Sequence, residues 1–161
     1  MALNQQMISV QDEKQDEKIK GNRYRRAATL YGTAAFIALI GLADAVYLTI
    51  QHITGESVRC TITSGCSEVL GSPYALVRGI PLALIGAVAY FAVFSLATLA
   101  AFHYELAGKL LTLIVGVMFL TTLWLLYLQA FVIHHFCQFC LLSALVTITL
   151  TVIAIIARPT D

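Results

Sequence analysis

The sequence predicts an all-α membrane protein, a bundle of four transmembrane helices with a long outer loop that carries a short half-helix. Three observations predict it. Of the 161 residues, 59% are hydrophobic and only 12% are charged, whereas an ordinary soluble domain is about 25% charged. Mean hydropathy is +0.82. The apolar residues also gather in several runs of about 20, too many to bury in one water-soluble core of this length. The net charge of +1 gives no footprint for nucleic acid.

Residues 1–26 are polar. Asp12, Glu13, Lys14, Asp16, Glu17 and Lys18 form a mixed charge run, and Lys20, Arg23, Arg25 and Arg26 follow. This segment is too long and too acidic for a cleavable signal peptide. It reads as a solvated, frayed cytoplasmic tail whose basic cluster also signals topology. A four-helix transmembrane domain of residues 27–157 is expected to follow, with spans at about 27–53, 80–102, 106–133 and 136–157. Each is long enough to cross about 30 Å of hydrocarbon at about 1.5 Å per residue. Pro81 opens the second span, where its missing N–H is harmless. Arg158 and Pro159 close the fourth, leaving 158–161 as a short cytoplasmic end.

Lysine and arginine orient the bundle. With four spans, the basic tail, Lys109 and Arg158 fall on one side, and only Arg59 and Arg78 fall on the other. Both termini are therefore expected in the cytoplasm. The segment from His52 to Gly79 and the turn around His134–Cys137 then face outward. All four cysteines collect on that outer face, which in bacteria is the side where disulfides persist. One long loop and otherwise short connections suit an antiparallel bundle.

The outer loop holds Cys60 and Cys66, with Ser64 and Gly65 as a turn between them. That spacing permits a disulfide if the backbone folds back, either a static brace or a redox pair. Ser67–Leu70 suits a helical turn ended by Gly71 and Pro73. Such a half-helix would lie over the bundle mouth as a lid, Val69 and Leu70 facing down.

Cys137 and Cys140 form a Cys-Gln-Phe-Cys motif at the start of the last span. At i and i+3 they share a helix face. The positive end of the helix favours a thiolate at Cys137, the species that attacks disulfides. Cys140 lies one turn deeper, among Phe139, Leu141 and Leu142, placed to meet an apolar oxidant dissolved in the membrane. His134 and His135 precede the motif, so a Cys/His zinc site is the competing reading, although the spacing is not a usual one for zinc. Haem attachment would want His where Leu141 stands.

Together these residues resemble the vitamin K epoxide reductase family in its bacterial form. The resemblance rests on Cys60-x5-Cys66, Ser72 six residues later, the Gly79-Ile-Pro-Leu-Ala-Leu-Ile-Gly86 start of the second span, and Cys137-Gln-Phe-Cys140. It implies a thiol–quinone oxidoreductase that supports disulfide formation. Cys60 would form a mixed disulfide with a thioredoxin-like partner, and Cys66 would relay electrons to Cys137. Cys140 would face the quinone, ubiquinone or menaquinone, and form a transient adduct with it. Ser72 would hydrogen-bond nearby, in the quinone site. Vertebrate members carry Asn and Tyr where this chain has Leu82 and Ala144, which leaves quinone as a better substrate than an epoxide. Many bacterial members carry a fused thioredoxin-like domain. Here the partner is expected to be a separate, DsbA-like protein, and the location the bacterial inner membrane.

Other residues carry weaker signals. Asp44 lies well inside the first span, where carboxylates are costly and often functional. It suits proton handling during quinone reduction, or a hydrogen bond to a neighbouring helix. Arg78 reads as a snorkelling interface residue. Trp124 and the tyrosines read as bundle or interface packing. Gly32, Gly41, Gly86 and Gly116 read as sites of close helix approach. The competing function classes are a non-enzymatic membrane scaffold with structural disulfides and a Cys/His metal-binding membrane protein.

Overall fold

The computed structural model describes residues 2–55, 66–102 and 104–157. Cys60, the Ser64–Gly65 turn, Arg158 and Pro159 lie outside the described residues. Four helices are long and apolar enough to cross a membrane, over Arg25–Thr54, Leu82–Ala101, Leu106–Ile133 and Gln138–Ala157.

The first helix, α1 (Ala2–Thr54), is continuous over 53 residues. The expected frayed tail is instead helical from Ala2. Residues 2–20 contain no glycine or proline and many Gln, Glu and Lys, which lose little side-chain freedom in a helix. The apolar span supplies the nucleus that such a segment can extend.

The half-helix forms as α2 (Cys66–Leu70), followed by a 3-10 turn at Pro73–Ala75. A small hairpin comes next. β1 (Leu76–Val77) pairs antiparallel with β2 (Ile80–Pro81), Leu76 opposite Pro81 and Val77 opposite Ile80. Its two-residue turn is Arg78-Gly79, with φ of 52° and 84°, positive at both positions as a primed hairpin turn requires. Arg78 thus sits exposed at a hairpin tip rather than at a helix mouth. The second span begins at Leu82, two residues later than expected, because Ile80 and Pro81 belong to the hairpin. Pro81 caps α3 (Leu82–Ala101).

The third span is α4 (Glu105–Leu128), extended by a π-helical turn over Gln129–Ile133. His134 ends it in the left-handed region, with φ of 57°. The last helix, α5, covers Gln138–Ala157.

Helix α1 packs on α3 and α5, and α4 closes the bundle against the same two. The interior is built largely from small residues, including Ala34, Ala38, Ala45, Ala97 and Ala154, around Val93, Leu111, Val115 and Leu150. In a membrane, helices associate through close packing rather than hydrophobic exclusion, and alanine permits it. At one end Tyr31 donates a hydrogen bond to the Ala157 carbonyl at 3.2 Å, tying α1 to α5. The outside of the bundle is apolar. On α4 and its π-helical extension, Leu113, Val117, Leu120, Trp124, Tyr127 and Phe131 form one exposed stripe at three- and four-residue spacing, the face expected to meet lipid.

Candidate active site

Cys137 immediately precedes α5. Its carbonyl accepts the N–H of Leu141 at 3.0 Å, the first bond of the helix, which makes Cys137 the N-cap. Its sulfur takes the place of a capping oxygen. The Cys140 thiol donates a hydrogen bond to it, and so do the backbone N–H groups of Cys140 and Phe139; together they outweigh burial and lower the Cys137 pKa to about 7. The thiolate expected at this helix start therefore has a local cause. The two cysteines do not simply share a helix face, because Cys137 is the cap and Cys140 lies in the first turn.

Cys137 and Cys140 are both free thiols, Cys137 fully buried and Cys140 half-buried. Cys66 is disulfide-bonded and buried. It packs in one cluster with Leu48, Val69 and Cys137, flanked by Leu70, Phe139 and Cys140. The half-helix thus delivers Cys66 to the thiol pair of the last span. Val69 and Leu70 face the bundle as the lid expectation required.

Gln129 is a residue that sequence reasoning missed. It is 2% exposed, and its Oε1 accepts the backbone N–H of Cys137 at 3.2 Å. Its side chain also reaches Cys140. The π turn places it there, since an extra residue per turn re-aims a side chain out of the α-helical register. The available signal was a lone amide near the end of an otherwise apolar span.

A cavity of about 260 Å³ opens beside Cys140, lined mainly by aliphatic side chains such as Leu48, Leu82, Ile85, Met118 and Leu125. Leu82 and Ala144 both line it, so the two positions singled out as apolar departures face the same space. Ser72 lines it too. Its hydroxyl donates to the Val69 carbonyl at 2.7 Å, and its backbone joins α2 to the 3-10 turn through Val69 and Ala75. Ser72 therefore fastens the lid over the cavity.

The cavity's deeper wall carries a hydroxyl cluster that sequence reasoning also missed. Tyr90, 2% exposed, meets Ser143 Oγ at 2.7 Å and Thr147 Oγ1 at 3.0 Å. Ser143 and Thr147 follow Cys140 at i+3 and i+7, the spacing of one helix face, and that repeat was the signal in the sequence. Asp44 lines the same cavity. It is buried, and its Oδ2 has no hydrogen-bond partner among the described residues, so the expected bond to a neighbouring helix is missing at that atom.

His134 and His135 are exposed on the turn before Cys137. Among the described residues no group of three or more His, Cys, Asp or Glu side chains converges to hold a metal ion.

The vitamin K epoxide reductase family model matches residues 33–155, a stretch that reaches into all four spans and includes both cysteine pairs. A curated relative is the thiol-disulfide oxidoreductase LTO1 of Arabidopsis thaliana, 46% identical over 50 residues. That match covers 30% of this chain and 13% of the relative.

Proposed function

Because the chain belongs to the vitamin K epoxide reductase family, we propose that it is a membrane thiol–quinone oxidoreductase that regenerates a disulfide donor outside the cytoplasm. At the coarser level, the family and the oxidoreductase relative make it a membrane thiol oxidoreductase. The observation that carries the finer reading is the packing of disulfide-bonded Cys66 against the free Cys137–Cys140 pair, beside an apolar cavity.

The proposed path runs inward. A reduced thioredoxin-like partner attacks the loop disulfide at Cys60 and forms a mixed disulfide. Cys66, released as a thiolate, attacks Cys137 in a Cys137–Cys140 disulfide, breaking that bond and releasing Cys140. Cys60, freed when the partner's second thiol closes the partner's own disulfide, then attacks Cys66, re-forming the loop disulfide and releasing Cys137 as a thiolate. Cys140 then becomes the thiol that faces the cavity. The partner's two thiols become a disulfide and give up two electrons and two protons. The quinone, held against the aliphatic wall, supplies the two-electron acceptor and leaves as hydroquinone. In this scheme a disulfide at Cys66 with free Cys137 and Cys140 is the stage at which electrons have reached the inner pair. Gln129 and the N-cap geometry hold Cys137 ready as a thiolate, and Ser72 holds the lid. The partner in this scheme is a DsbA-like dithiol, and the membrane is the bacterial plasma membrane with both ends of the four-span bundle on the cytoplasmic side.

The test uses the full chain in detergent with a reduced thioredoxin-like protein and a soluble quinone. Both are expected to be consumed in equal amounts, and Cys140→Ala is expected to reduce quinone only at background rate. Quinone reduction by that variant at full rate would overturn the mechanism. Cys140→Ser is also expected to accumulate a Cys66–Cys137 cross-link, which a static structural brace would not form.

A further inference from the structure

We propose that Asp44 is the ligand-facing acid of the cavity, hydrogen-bonding one carbonyl oxygen of the quinone and supplying one of the two protons its reduction consumes. The inference rests on the preceding reading that quinone is reduced in this cavity.

Asp44, Leu48 and His52 lie at i, i+4 and i+8 on α1 and all line the cavity that also holds Cys140. Asp44 sits on the inner part of that face, one turn outward of Gly41. A Cβ at Gly41 would lie 2.6 Å from Tyr90 Cζ, so α1 and α3 touch there and bring Asp44 level with the hydroxyl cluster. The other buried polar groups around the cavity are already engaged. Tyr90 binds Ser143 and Thr147, Gln129 Oε1 binds the Cys137 N–H, and the Ser72 hydroxyl binds the Val69 carbonyl. Asp44 Oδ2 is different. The residue is 9% exposed, and this oxygen is the buried side-chain polar atom left without a partner among the described residues.

A buried polar atom without a partner is destabilising, and an acid inside a bilayer more so. Among the described residues nothing repays it, whereas a ligand oxygen would. A carboxyl in its acid form is both a hydrogen-bond donor and a proton source. The aliphatic wall suits the faces of a flat ring, and a few placed polar groups in such a cavity fix orientation. Asp44 is close enough to influence Tyr90, Cys137 and Cys140 electrostatically, so it shares the reaction space rather than a separate pocket.

The step balances. Cys137 and Cys140 lose two electrons and two protons as their disulfide forms, and the quinone gains the same. One proton passes from Asp44 to a quinone oxygen, and a proton released by the thiols restores the acid. Asp44 ends unchanged.

The test compares wild type with Asp44→Asn and Asp44→Leu, full chain in detergent, by three readouts. Quinone turnover by Asp44→Asn is expected to fall by at least about 100-fold, the range for losing a general acid. Single-turnover uptake of electrons from the reduced partner, with no quinone present, is expected to match wild type. The Tm of Asp44→Leu is expected to equal or exceed that of wild type, since the unpartnered atom is gone. Turnover of Asp44→Asn within about threefold of wild type would overturn the proposal. So would a fall in Tm together with lost electron uptake, which would mark Asp44 as structural. If wild type itself reduces no quinone, the reading beneath this one fails, and that outcome is distinct.

Discussion

Cys137 is a helix cap and, in the proposed path, the inner redox thiol, and one geometry serves both. The sulfur receives the N–H groups that a capping oxygen would otherwise satisfy, and each of those bonds is stronger to a thiolate than to a thiol. With the Cys140 thiol donating as well, the Cys137 pKa falls to about 7. The sign follows directly. A lowered pKa means that the thiolate persists as pH falls from 9, is about half populated near pH 7, and drops to about a tenth near pH 6. Thiolate absorbance near 240 nm in the reduced protein is expected to titrate with that midpoint. Cys140→Ala removes the largest favourable bond and is expected to move the midpoint upward, toward that of an ordinary thiol. A midpoint unchanged by Cys140→Ala would refute this account of the activation.

Helix contacts set how the cavity is walled. Of the glycines expected to allow close approach, Gly41 does so, with the Tyr90 ring lying where its Cβ would be. Gly86 meets only Ala45 at 3.9 Å, and Gly32 and Gly116 face nothing within 4 Å. Gly41→Leu is therefore expected to push α1 from α3, to cost about 1–3 kcal/mol through overpacking, and to lower the Tm in detergent. Gly32→Ala is expected to be neutral or slightly stabilising, because a glycine inside a helix with open space beside it has only its entropy to lose. Equal losses from both would show that the α1–α3 contact is not the tight one. The hairpin and the π turn act at this same scale. The hairpin gives the chain a rigid return from the lid to α3, and the π turn aims Gln129 at Cys137.

At the scale of the molecule, an even number of antiparallel spans brings the end of α1, the lid, the hairpin and the turn before α5 to one end of the bundle. In the proposed topology, which rests on the charge pattern, that end faces outward. Single cysteines at Gly55 and His135, both exposed, are expected to react with a membrane-impermeant maleimide on intact cells. Lys109→Cys, near the start of α4, is expected to react only after permeabilisation. The reverse pattern would invert the topology and place the thiol pairs in the cytoplasm, where disulfides rarely persist.

Much of this was legible in the residues. Hydropathy marks the four spans because each backbone segment in lipid must satisfy itself, which leaves a long apolar run little choice but a helix. Cys137 and Cys140 are legible for a similar reason, since three residues on a helix is a short, fixed distance. Gln129, Tyr90, Ser143 and Thr147 were not picked out, and each fails for one cause. Spacing and polarity could have marked Gln129, Ser143 and Thr147 as candidates, but their roles depend on what stands opposite them on another helix, which spacing does not give. The left-handed backbone of Arg78 was not legible either, because it is set by the pairing of its neighbours in the hairpin. By itself, then, the sequence determined an apolar bundle of four spanning helices with a Cys-x-x-Cys motif where the last one starts, since periodicity and spacing are local quantities. Only the tertiary structure decided that Cys66 packs on Cys137, that a cavity opens beside Cys140, and that Asp44 turns an unpartnered oxygen into the bundle, because each is a meeting of residues far apart in the chain.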